Sequence, residues 1–144
     1  MLISDVLHGK GRAVVRIPAE ATVAEAVRKL SEKRIGALVV EDRWLKMAGI
    51  FSERDFINWT AREGAAALDR KVGDVMTAPV ITCKPSDTID SVLARMTVSR
   101  IRHMPVAEGE DLIGIVSIGD LVKHRLDEKE LEANVLLELS RMRA

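Results

Sequence analysis

Apolar and polar positions along this chain change period several times, and they go through the same changes twice. Ala13–Ile17 (AVVRI) is a short β-branched run, which predicts a strand. Thr22 stands three residues before Glu25, the spacing of a capping box, and predicts a helix start. Val23, Ala26, Val27 and Leu30 then recur at helical spacing. Ala37–Val40 (ALVV) is apolar throughout, as in a strand buried on both faces. The polar stretch EDRW turns the chain, Met47–Phe51 (MAGIF) predicts the next strand, and Ser52 opens a helix carrying Phe56 and Trp59. The order then recurs. Pro79–Thr82 (PVIT) predicts a strand, a helix follows from about Asp87 to Met96, and HMPV predicts a strand. A turn at EGED (Glu108–Asp111) leads to the strand LIGIV and a helix from Ser117.

This recurrence is an internal duplication. ISDVL (Ile3–Leu7) lies over VGDVM (Val72–Met76), and ATVAEAVRKL over DTIDSVLARM. RIGALVV (Arg34–Val40) lies over RIRHMPV (Arg100–Val106), and GIFSERDF (Gly49–Phe56) over GIVSIGDL (Gly114–Leu121). A unit of about 60 residues with open sheet edges is marginal alone. The expected fold is therefore α+β: two β-α-β-β-α motifs packed sheet to sheet about a pseudo-twofold axis, with two equivalent clefts between them. The expected organisation is a first motif over 1–64, a linker over 65–71, a second motif over 72–125 and a C-terminal amphipathic helix over 126–144. Leu131, Val135, Leu139 and Met142 give that last helix an apolar face, with acidic residues early and basic ones late. Packing across a homodimer is its expected use.

Composition narrows the function. The 144 residues are 47% hydrophobic and 31% charged. The formal net charge is zero, so nothing pulls the whole chain toward nucleic acid or an acidic membrane. A single cysteine, Cys83, excludes an internal disulfide and reads as a small residue at a strand end. No apolar run approaches a membrane span, and MLISDVLHGKGR does not read as a signal peptide. A cytoplasmic globular protein without membrane or nucleic-acid partners is expected. His8 and His124 stand alone, and no His or Cys pair has ligand spacing, so no structural metal is expected. GKGR (Gly9–Arg12) lacks the frame of a phosphate loop and reads as a loop, with contact to a ligand's phosphate tail as the alternative. No nucleophile is paired with a base, which argues against an enzyme.

The chemistry concentrates in Ser52–Asp55 and Ser117–Asp120, each placed where a strand enters a helix. One reading is capping: Ser at the N-cap and Asp at the third helical position satisfy free N–H groups. Another uses the same corner as a binding site. A helix N-terminus accepts phosphate, and a carboxylate in its first turn can accept hydrogen bonds from vicinal ribose hydroxyls. Gly49 and Gly114 let each strand approach a neighbour closely.

With GIFSERDF, RHMPV and GIVSIGDLV in a tandem repeat, the chain resembles the cystathionine-β-synthase (CBS) domain pair, or Bateman module, from Ile3 to about Arg125. The resemblance implies two adenosyl-ligand sites, with ribose held at Asp55 and Asp120. It implies that Ile17-Pro18 and Thr82-Cys83-Lys84 flank adenine, and that Met104 and Pro105 wall the second adenine. It also implies phosphate contacts from Arg102 and His103, with Arg54, toward the ligand at Asp55. The first expected site is thus Ile17, Ser52, Arg54, Asp55, Arg102 and His103. The second is Thr82, Lys84, Met104, Pro105, Ser117 and Asp120. Because Gly36 and Ala37 replace Arg102 and His103 in the first unit, the Asp55 cleft is expected to suit phosphorylated ligands better. Arg34 and Arg100 are expected to close their helices. The implied function is a sensor of energy or redox state that binds AMP, ADP, ATP or NAD(H), with S-adenosylmethionine also admissible, and acts on a further protein. A structural dimerisation module with non-functional sites is the alternative.

Overall fold

A computed structural model describes residues 1–143. Helix α1 (Ile3–Lys10) leads into strand β1 (Arg16–Pro18), helix α2 (Val23–Lys33) and the strands β2 (Ala37–Glu41) and β3 (Met47–Ser52). Helix α3 (Glu53–Glu63) runs into a 3-10 turn over Gly64–Asp69. The second half repeats this as α4 (Val72–Val75), α5 (Ile89–Ser99), β4 (His103–Glu108), β5 (Asp111–Ser117) and α6 (Ile118–Met142).

Local signals account for most boundaries. Thr22 Oγ1 accepts the Glu25 N–H at 3.2 Å and starts α2. Thr88 does the same for Ser91 at 3.1 Å and starts α5. Both helices stop at an arginine in the left-handed region, Arg34 (φ 54°) and Arg100 (φ 56°), each at the C-cap. In each half the two central strands pair antiparallel with a matched irregularity, after Val40 in one and after Val106 in the other. β1 adds to β2 in parallel, Ile17 opposite Val40.

Two expected strands come out shorter or absent. The first begins only at Arg16, although the Val15 carbonyl still accepts from Val39 N–H at 3.1 Å. Pro79–Thr82 is not a strand. Pro79 has no N–H to give, and the Thr82 carbonyl accepts instead from the Arg95 guanidinium at 2.6 Å. Cys83 alone reaches the sheet, donating to Pro105 and accepting from Ala107 at 3.0 and 2.9 Å.

The halves are locked by exchange of their leading helices. Ile3, Val6 and Leu7 of α1 are buried in the core of the second half, with Val92, Met96, Met104 and Val116. Val72 and Val75 of α4 are buried in the core of the first, with Ile17, Leu30, Leu38 and Phe51. Backbone bonds secure both exchanges: Ile3 N–H to the Asp87 carbonyl at 2.9 Å and Val72 N–H to the Ala21 carbonyl at 2.8 Å. This explains the glycine of each repeated phrase. A Cβ on Gly49 would collide with Met76 at the end of α4. One on Gly114 would lie 2.7 Å from Leu7 Cδ2 of α1.

The stretch between the halves is packed. Ala67 is fully buried. The Trp59 ring lies under the guanidinium groups of Arg70 and Arg62, at 4.8 and 5.4 Å from its centroid. The C-terminal segment is not a separate helix. α6 continues unbroken for 25 residues from the second corner, and from Lys129 to Arg143 every residue is exposed. Ala144, the last residue of the expected tail helix, lies outside the described residues.

Candidate functional site

Each repeated corner is a strand end whose serine caps the next helix. At the first, Ser52 N–H donates to Asp55 Oδ2 at 2.9 Å, the Ser52 hydroxyl reaches the same oxygen at 3.1 Å, and Asp55 N–H donates back to Ser52 Oγ at 3.4 Å. Oδ1 accepts from the Thr77 hydroxyl at 2.8 Å. Thr77 follows α4, and its backbone is bound to Ile50 of β3 in both directions at 2.8 and 3.0 Å. The carboxylate is thereby held from both halves. Each carboxylate oxygen has more than one lone pair, so capping leaves acceptor capacity for a ligand.

Asp55 faces a cavity of about 450 Å³, within the range of small-molecule sites. Ser52, Asp55 and Thr77 form a polar floor, and Pro79, Val80, Ile81 and Ile101 form an apolar wall. Arg54, Arg100 and Arg102 bring cationic groups to the rim, beside the His103 imidazole. Apolar wall, carboxylate floor and cationic rim suit a ligand with a flat apolar part, hydroxyls and an anionic tail. A neighbouring depression of about 410 Å³ between α2 and α3 shares Gly36 and Glu53 but has no such convergence of groups.

The second corner has the same cap: Ser117 N–H donates to Asp120 Oδ2 at 2.8 Å and Asp120 N–H to Ser117 Oγ at 3.1 Å. Here the opposite half supplies Lys10, at the end of α1. Its ammonium donates to Asp120 Oδ2 at 2.5 Å and to the Ile115 carbonyl at 2.8 Å. Burial pushes the Asp120 carboxyl up, but the Lys10 ammonium and the Ser117 bonds outweigh it and hold the group below its ordinary value.

His103 lies between the corners. It lines the Asp55 cavity and pairs across β4–β5 with Ser117. It also packs on Gly36, where an added Cβ would lie 2.9 Å from ring atoms Cε1 and Nε2. Burial pushes its imidazole below the usual histidine value. The Lys10 and Arg102 charges push the same way, and Glu53 and Asp120 oppose them.

The structure brings Ser52, Arg54, Asp55, Arg102 and His103 onto one cavity. It does not bring Ile17 there. Ile17 is buried in the first core, and the exchanged helices place Thr77 and Pro79–Ile81 beside Asp55 instead. Ser117 and Asp120 form the second corner. Much of the Thr82 and Lys84 backbone is already engaged: the Thr82 carbonyl accepts from Arg95, Lys84 N–H donates to Asp87 at 2.8 Å, and the Lys84 carbonyl accepts from Asp87 N–H at 3.0 Å. Met104 and Pro105 are no cleft wall either. Both are buried, Met104 wholly inside the second core, because alternation along β4 turns it inward. Sequence reasoning missed Thr77, which follows VGDVM as His8 follows ISDVL, so the repeat held that signal. It placed Lys10 in a loop, with contact to a ligand's phosphate tail as the alternative, whereas Lys10 ends a helix and is bonded to Asp120. The Cys83 thiol is buried and pushed up to about 11, chiefly by desolvation, which leaves it unreactive at neutral pH. Among the described residues no cluster of three or more His, Cys, Asp or Glu is arranged for a metal, and no helix is long and apolar enough to cross a membrane.

Known proteins share this architecture. The CBS domain model matches residues 3–62 and again 72–127. The chain is 35% identical over 146 aligned positions to the mitochondrial CBS domain-containing protein CBSX3 of Arabidopsis thaliana, covering 92% of this chain and 71% of that protein. It spans between 22% and 36% of several longer curated relatives. Among solved structures, the CBS-domain containing protein ATU1752 from Agrobacterium tumefaciens superposes with a TM-score of 0.84 at 42% identity, over 86% of this chain and 92% of that one. The CBS domain protein PAE2072 from Pyrobaculum aerophilum, complexed with AMP, gives 0.77 at 27% identity, over 92% and 99%.

Proposed function

The chain belongs to the CBS domain family, and from that premise we propose that it is a regulatory module that binds an adenine nucleotide at Asp55 between its two halves. The observation that carries this reading is the single cavity in which Asp55, Thr77 and the basic rim of Arg54 and Arg102 converge, with the His103 imidazole beside them. The AMP complex of the Pyrobaculum relative supports the ligand class. Adenine lies along Pro79–Ile81 and Ile101, the ribose hydroxyls donate to Asp55, and the phosphate meets the rim. AMP, ADP, ATP and NAD(H) share those parts, and S-adenosylmethionine shares the first two.

Because Asp55 and Thr77 come from different halves, ligand affinity depends on how the halves sit, and binding shifts that equilibrium. The module thus reports energy or redox state to a protein it regulates and carries out no chemistry itself. It acts inside the cell as a homodimer joined through the exposed apolar stripe of α6: Leu131, Val135, Leu139 and Met142.

Calorimetric titration with AMP tests the reading, with Arg102→Ala as its probe. Arg102→Ala is expected to weaken AMP much more than adenosine, and equal losses would remove the phosphate role. One observation favours the alternative of a dimerisation module with non-functional sites: both carboxylates already complete capping boxes. Absence of heat and of thermal shift at millimolar AMP would establish that alternative.

A further inference from the structure

The two corners differ in what the opposite half brings to the carboxylate. Asp55 receives a neutral hydroxyl, from Thr77. Asp120 receives a full charge, the Lys10 ammonium, on the same Oδ2 that already accepts Ser117 N–H. The ion pair is partly screened, with side-chain exposures of 34% for Lys10 and 27% for Asp120. Lys10 ends α1, and its ammonium also donates to the Ile115 carbonyl at 2.8 Å. A sugar diol that is to reach Asp120 must share or displace this ammonium.

We propose that Lys10 is a specificity residue of the Asp120 corner: it makes a phosphate on the ligand the condition for binding there. The inference rests on the reading of the corners as nucleotide sites. A nucleoside that displaces Lys10 takes over the carboxylate but leaves a partly exposed ammonium without its anion, and that loss is not returned. A nucleoside monophosphate returns it, because the freed ammonium forms a charge-assisted bond with the phosphate. The flexible four-carbon stem lets one lysine serve both partners in turn. His103, whose imidazole lies beside the Lys10 charge and stays neutral, does not supply a competing cation. At the first corner no ion pair stands on Asp55 among the described residues, so a nucleoside meets no such penalty there. The expected inequality of the clefts therefore takes a different form: the Asp120 corner discriminates more sharply between phosphorylated and unphosphorylated ligands.

The experiment isolates this corner with Asp55→Ala and titrates AMP and adenosine by calorimetry, with and without Lys10→Met, after circular dichroism has confirmed each fold. In Asp55→Ala, AMP is expected to bind at least about tenfold more tightly than adenosine, the scale of one charge-assisted bond. Adding Lys10→Met is expected to bring the two within about threefold, with adenosine gaining. Lys10→Arg is expected to keep the gap, and Lys10→Gln replaces Lys10→Met if the latter does not fold. The inference is overturned if adenosine and AMP bind equally to Asp55→Ala, or if loss of the charge leaves the gap unchanged. It is also overturned if Asp55→Ala binds neither ligand while the unaltered protein binds AMP. If the unaltered protein binds neither, the functional reading itself fails and takes this inference with it.

Discussion

Replacing Asp55 by Asn separates the two jobs that the first corner combines. The carboxylate caps α3 through Ser52 N–H and the Ser52 hydroxyl, and it accepts the Thr77 hydroxyl on its other oxygen. Asn keeps one oxygen acceptor and so keeps most of the cap, whereas Ala removes it. Loss of a capping side chain costs about 1 kcal/mol, which in a chain of this size lowers Tm by roughly 2–4 °C. That cost falls on Asp55→Ala and largely spares Asp55→Asn. Ligand binding divides differently. Hydrogen bonds to a charged acceptor contribute about 1.5–3 kcal/mol, so either substitution should weaken AMP by about ten- to a hundred-fold. Calorimetry with AMP and a thermal melt of the free protein, on the same samples, give both quantities. The expected pattern is a shared loss of affinity with a melting loss confined to Ala. If Asp55→Asn bound AMP as the unaltered protein does, the carboxylate would be a cap and nothing else.

Gly49→Ala should destabilise the fold by about 1–3 kcal/mol in a denaturant titration, because its Cβ meets both Met76 and the Thr77 carbonyl, and backbone cannot give way. Gly114→Ala should cost less, since it meets only the end of the Leu7 side chain. His103, with its folded-state pKa depressed chiefly by burial, favours folding when neutral; the unfolded chain binds its proton first, near the ordinary value of about 6.5. That contribution is therefore present above about pH 6.5 and lost as pH falls below it toward the folded value, so His103→Gln should flatten the pH dependence of Tm in that window. NMR titration of the imidazole should place its midpoint below that of free histidine, and a midpoint at or above it would contradict the burial argument. Finally, if the proposed homodimer forms through α6, Leu131→Glu with Val135→Glu should give monomers by light scattering while leaving the melt of the body intact, because both side chains are exposed in the single chain.

Much of this was legible along the chain. The α2 and α5 helices, the Thr22 cap, the β2–β3 and β4–β5 hairpins and both serine corners follow from spacing within a few residues. The failures have a common source. PVIT has strand composition, but its backbone partners lie elsewhere: Arg95 for Thr82, and Pro105 and Ala107 for Cys83. Met104 and Pro105 stand beside His103, which lines the cavity, yet strand alternation turns Met104 into the core against α1, and Pro105 is buried as well. Ile17 belongs to the first half, and the cavity at Asp55 draws its apolar wall from the second.

The sequence by itself determined the duplication, the α2 and α5 helices with the hairpins that follow them, and the chemical character of each corner, because caps and hydrophobic periods act between residues three or four apart. Only the tertiary structure decided which half completes which corner. Thr77 reaches Asp55 across 22 positions and Lys10 reaches Asp120 across 110, and both pairings exist because α1 and α4 are buried in each other's halves. No local pattern records that exchange. It follows from where two small cores each find the apolar surface they lack, and it gives two nearly identical corners a hydroxyl in one case and an ammonium in the other.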